Sequence, residues 1–156
     1  RPVSRQWTDL AFRRMRRRFD WAEELMILLT AEMASAPYFR VLHNTVEDPL
    51  LHAVLGSIMD DQAYHLGFHI DHLRPELERR SPTERAVLQQ GWSAFFGSVL
   101  GVVMFDNRDV FAALHYDKLT FWTDAWNLFA QVQSGLHGSR HMDALLGRDP
   151  RLRFVI

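Results

Sequence analysis

A carboxylate and an imidazole on apolar helical faces are the residues of this chain least easily assigned to packing alone. Glu32 shares its ridge with Leu25, Leu28, Leu29, Ala36 and Phe39. An ionised carboxylate in that company is costly unless it is paired, protonated or bound to a cation. One helix further on, His65 lies with Leu55, Ile58, Met59, Leu66 and His69 on adjoining ridges. Asp61 and Gln62 stand four and three residues before His65, within reach of the same side. Cysteine is absent, which removes disulfides, thiolate zinc sites and thiol nucleophiles together. A carboxylate–imidazole metal site is the metal chemistry that remains. Its candidate ligands are Glu32, Asp61, Gln62, His65 and His69, with Asp106 from a third segment, where it falls with Val99, Val102, Val103 and Val110.

Each candidate also has a plainer reading. His65 can be a core histidine satisfied by a backbone carbonyl. Asp106 can cap a helix break, because Asn107-Arg108-Asp109 follows it. His72 reads as a solvated residue complementing the dipole at a helix C-terminus. Tyr38 and Tyr64 could be redox-active beside a metal, or simply pack with one hydrogen bond. Asp124, Gln131 and Gln133 are ambiguous.

The elements that must position these groups are helices. Apolar residues recur with a 3.6-residue period throughout, and no segment alternates as a strand does. Asp48-Pro49 supplies a cap and a first-turn proline, and Ser81-Pro82-Thr83-Glu84 supplies a capping box with proline at the first helical position. The pattern predicts helices over 8–43, 49–73, 82–106 with a break and resumption to 115, and 117–133. Pro75 is expected to end or kink the second, and Gly135 and Gly138 to stop the fourth. A short tail helix is expected near 140–146. Four helices of this length suit an antiparallel bundle in a single domain spanning 1–156. Trp92, Phe95, Phe96, Phe105, Phe111, Phe121, Trp122, Trp126 and Phe129 are expected mostly to fill its core.

The bulk numbers fit that picture. The 156 residues are 47% hydrophobic and 24% charged, with a net charge of −1, as in ordinary globular chains. The arginines of 13–18 alternate with apolar residues at helical spacing and read as a solvated face, so no nucleic-acid partner is expected. No apolar run in the sequence approaches the length that spans a bilayer, so no membrane partner and a cytoplasmic location are expected.

The segments Ala31-Glu32-Met33-Ala34, Tyr38, Val41-Leu42, Asp48-Pro49-Leu50-Leu51 and Ile58 through His69 resemble the first half of ferritin-like proteins, over roughly residues 25–72. That superfamily pairs a glutamate on one helix with Glu-x-x-His on the next. Glu32 matches the first glutamate and His65 the motif histidine, while Gln62 stands at the motif glutamate with Asp61 before it. The resemblance implies a ferritin-like bundle, an iron or manganese cofactor of one or two ions, an oxygen or small-molecule substrate, and a homodimer. Two departures bear on it: neutral Gln62 cannot bridge two metals, and the fourth helix carries no Glu-x-x-His. Three functions are therefore expected in competition. They are a metal-dependent oxidoreductase, a non-catalytic binding or oligomeric module with a vestigial polar core, and a carrier of an apolar ligand between the third and fourth helices.

Overall fold

The structure, a computed structural model, describes residues 20–137. Its elements are α1 (Trp21–Thr45), α2 (Pro49–Glu78), α3 (Pro82–Asp106), the short α4 (Arg108–Ala113) and α5 (Lys118–His137). No strand occurs among the described residues, so the all-α expectation holds. The expected helical residues 8–19, the arginines of 13–18, the expected stop at Gly138 and the tail helix near 140–146 lie outside the described residues.

Local chemistry explains most helix starts. Asp20 and Glu23 close a capping box at α1, and Ser81 and Glu84 close another at α3. Asp48 accepts from the amides of Leu50 and Leu51, with Pro49 in the first turn of α2. These devices satisfy amides that the first turn leaves unpaired. At the other ends α2 and α5 both run a few residues past the expected 73 and 133. Helix α2 runs through Pro75 to Glu78, and α5 runs through Gly135 to His137. Pro75 removes one amide in the last turn, where few further backbone bonds depend on it. Gly135 is buried, and its carbonyl accepts from Arg74 of α2 at 3.1 Å. Helix α1 likewise continues past the buried Pro37.

Paired contacts set the helix directions. Glu32 meets His65 and Ser35 meets Gln62, so α1 and α2 form an antiparallel hairpin. Thr30 meets Trp92, and Met26 and Leu88 share a groove, so α3 runs parallel to α1. Arg40 meets Asp124 near the start of α5 and Arg74 meets Gly135 near its end, so α5 runs with α2. The order is up-down-up-down. Only Arg79, Arg80 and Ser81 join α2 to α3, a reach of about 10 Å. The long crossover that the ferritin-like resemblance implies at this place is not made.

Helix α1 packs against α2, α3 and α5, and α2 and α3 scarcely touch each other. The core holds Leu25, Leu29 and Met33 of α1, Leu66 and Leu73 of α2, Phe96 and Leu100 of α3, and Phe111, Phe121 and Phe129 beyond them. Phe96 stacks on Phe129 with centroids 4.7 Å apart and meets Trp126 edge-on. Trp92 donates its indole N–H to Thr30 Oγ1 at 2.8 Å, and Thr30 passes a bond of the same length to Met26 O. The polar tip of a buried tryptophan is thereby satisfied.

Two further expectations change. Phe105 is not core; it is 68% exposed, and Val102 is 53% exposed. Helices α1 and α3 are, by length and composition, apolar enough to cross a membrane, contrary to the sequence expectation. Half of the apolar window in α1 is buried inside the protein and 17% of that in α3. That marks α1 as a core helix and leaves α3 with a large face that no other described element covers.

Phe96→Ala removes a fully buried ring and is expected to cost about 3–5 kcal/mol. Leu119→Ala, at a position 70% exposed, is expected to stay within about 0.5 kcal/mol. Urea denaturation of both variants checks the contrast.

Candidate metal site on the α1–α2 hairpin

The hairpin register brings Glu32 and His65 together, with Glu32 Oε1 3.4 Å from His65 Nδ1. The pair sits at the margin of the core, not within it as the sequence suggested. The Glu32 side chain is 20% exposed and that of His65 53%. The cause is the helical wheel of α2, whose buried line runs through Leu55, Gln62, Leu66, Ile70 and Leu73 and leaves position 65 on its flank.

Gln62 is the residue of the motif that lies inside. It is 7% exposed, and its amide donates to Ser35 Oγ at 2.6 Å. Ser35 in turn donates to Glu32 O at 3.1 Å. The other end of the amide, Gln62 Oε1, is buried without a partner, and so is Nδ1 of half-buried His69. Orphaned buried polar atoms are uncommon and call for a partner. Burial, and then the neighbouring His65 and His72, hold the His69 ring below its usual range. A neutral imidazole is the form that binds a metal.

The other expected ligands do not converge here. Asp61 is exposed on α2. Asp106 is exposed and is the last residue of α3, with Asn107 serving as the C-cap. It neither caps the break nor shares the hairpin face. Tyr64 is 74% exposed, whereas Tyr38 packs edge-on against Phe111. His72 Nδ1 donates to the Phe68 carbonyl four residues back at 2.8 Å. Among the described residues no three His, Asp or Glu side chains are grouped closely enough to hold a metal ion.

The fit to an implied metal is therefore partial. One carboxylate, one exposed imidazole, and an orphaned amide oxygen and imidazole nitrogen nearby suit one ion with mixed oxygen and nitrogen ligands. They do not suit a two-metal centre, which needs bridging carboxylates.

Sequence reasoning left two polar groupings unassigned. Asp124 accepts from Arg40 and from Tyr116 Oη, the latter at 3.1 Å. Burial, then the Asp124 carboxylate, pushes the Tyr116 phenol up to about 12. This cluster ties α1 to α5. His43 and His52 stack at the hairpin turn with ring centroids 3.7 Å apart. Neither grouping has a short-range signature, because each joins residues from different helices. An apolar groove is also present among the described residues, on a different pair of helices from the one considered for an apolar ligand. It measures about 360 Å³ and runs between α1 and α3, bordered by Glu23, Met26, Ile27, Val87, Gly91 and Phe95.

Comparison with protein-family models, with curated proteins and with solved structures finds no match to this chain. The reading of the site rests on its own residues.

His69 gives a pH test. Its native value is depressed below 6.5, so it adds stability that is present above pH 6.5. That stability is lost as pH falls through the depressed native value. Thermal melts across this acid range should show a declining midpoint, with a shallower decline in His69→Gln. An unchanged slope in the variant refutes the assignment.

Proposed function

We propose that this chain is a metal-binding helical protein, ferritin-like in the residue pattern of its α1–α2 hairpin alone, that takes a single iron or manganese ion on the α1–α2 face. Glu32 and His65 are its primary ligands. The observation that carries the reading is the 3.4 Å approach of Glu32 Oε1 to His65 Nδ1, with two orphaned buried polar atoms, on Gln62 and His69, along the same helix. A carboxylate and an imidazole suit iron and manganese, and the missing cysteine removes thiolate ligands. When bound, such an ion would supply Lewis acidity and, for iron, one-electron exchange with a small oxidant such as oxygen. The chain's own part is positional. Ser35 and Gln62 fix the face on which Glu32 stands, and His69 is kept neutral beside it. The up-down-up-down order of helices weighs against the ferritin-like part of the reading, and the residue pattern of the hairpin supports it.

A second reading has its own observation. The Gln62–Ser35 hydrogen bond already satisfies half of the amide, and no third His, Asp or Glu joins Glu32 and His65 among the described residues. Both features favour a non-catalytic binding or oligomeric module whose polar hairpin residues serve specificity of packing.

Anaerobic calorimetric titration of the full chain with Fe(II) and Mn(II) separates the two. The metal reading expects one equivalent, lost in Glu32→Ala and His65→Ala. It also expects binding weakened about 10-fold in Gln62→Ala, as for a residue supporting a ligand. No uptake, or uptake indifferent to Glu32→Ala, establishes the second reading.

A further inference from the structure

Helix α3 carries no charged residue from Ala86 to Phe105, yet the other described elements cover only one of its faces. Trp92, Phe96 and Leu100 point into the core. The opposite face presents Val87, Gly91, Ala94, Ser98, Gly101 and Phe105, spaced alternately four and three residues apart. That is the repeat of a helix seam that packs on another helix. Val87 is 65% exposed, Phe105 68%, and Val102 beside the seam 53%. A Cβ placed on Gly91 or Gly101 would meet nothing within 4 Å, so the middle of the seam is open to close approach.

The order of sizes along this face is symmetric. Large residues stand at both ends and small ones between, and the sequence reads alike from either end about position 96. If a second copy of α3 is laid antiparallel on the first, Val87 meets Phe105, Gly91 meets Gly101, and Ala94 meets Ser98. A two-fold interface requires this kind of self-complementarity. The same superposition carries Phe105 of the second copy to the end of α3 where the apolar groove opens beside Val87 and Gly91. At about 360 Å³, the groove has room for a phenyl ring. Charge agrees with shape. Arg108 lies over the Phe105 ring at 5.2 Å from its centroid, and it would arrive at the first turn of α3, which carries Glu84, beside a groove bordered by Glu23.

We propose that the protein is a homodimer in which two α3 helices pair antiparallel and Phe105 of each copy occupies the α1–α3 groove of the other. The 25 residues of α3 give a face about 37 Å long. At about 10 Å wide, that face offers on the order of 400 Å² per copy before the seating of Phe105 is added, which places the contact at the small end of specific interfaces. A bilayer is the poorer occupant, because Gln89 and Gln90 are exposed on the same helix and would be desolvated in it. The proposal is independent of the metal reading.

Sedimentation equilibrium of the full chain tests it. The native protein is expected to be a dimer, and Ala94→Glu and Phe105→Lys are expected to be monomers with unchanged helical circular dichroism. Because the chain has no cysteine, introduced thiols report register. Val87→Cys mixed with Phe105→Cys should give a mixed disulfide under mild oxidation, and neither variant alone should cross-link. A monomeric native protein, a dimer untouched by Ala94→Glu, or self-cross-linking of Val87→Cys overturns the proposal. So does flotation of the native protein with phosphatidylcholine vesicles as a monomer.

Discussion

The fold depends on burying α1 from three sides at once. This helix places ten residues in the interior, from Ala22 to Pro37, and packs against α2, α3 and α5. A helix apolar around most of its circumference is stable in water only when neighbours cover it. That requirement fixes the positions of the other helices. It also explains why α2 and α3 scarcely meet: each occupies a different flank of α1 and α5. Glu32 is tolerated because it lies where the α1–α2 contact thins toward solvent, with His65 beside it. A position one ridge further in would have demanded neutralisation or full pairing.

Hydrophobic burial alone does not choose a register, and polar contacts between helices do so here. Trp92 on Thr30 locks α3 to α1, Arg40 and Tyr116 on Asp124 lock α5 and its approach to α1, and Arg74 on the Gly135 carbonyl locks α5 to α2. Gln62 on Ser35 does the same for the hairpin. Sliding any helix by a turn would leave these buried or half-buried groups unpaired, at a cost that apolar contacts do not impose. The proposed site is part of this locking set, which is why its metal-free and metal-bound readings share the same residues.

Much of the fold was legible in the sequence because helix starts are local chemistry. Asp48-Pro49 and Ser81-Pro82-Thr83-Glu84 act as their types and spacing predict. Helix ends were less legible. Pro75 and Gly135 are breakers by intrinsic preference, but packing of their helices against α1 and each other outweighs it. The meeting of Glu32 with His65 followed from hairpin symmetry. Their depth did not, because the apolar faces of the described helices exceed what the other described helices cover. A face reads as core in the sequence whether or not another helix lies on it, and Phe105 and Val102 show the difference. Asp124 stayed ambiguous for the converse reason, since its ion-pair partner Arg40 comes from a distant segment.

Pro37 has a mechanical consequence for the neighbourhood of Glu32. It is buried in the middle of α1 and has no N–H, so the Met33 carbonyl lacks its usual donor one turn back. One rung of the backbone ladder is absent beside Glu32 and Ser35. Elsewhere along α1, bending the axis must stretch or break a hydrogen bond. At this point the bond is already missing, so the helix is most compliant where its carboxylate faces His65. Small adjustments of that distance can then be accommodated without unravelling the turn that holds it.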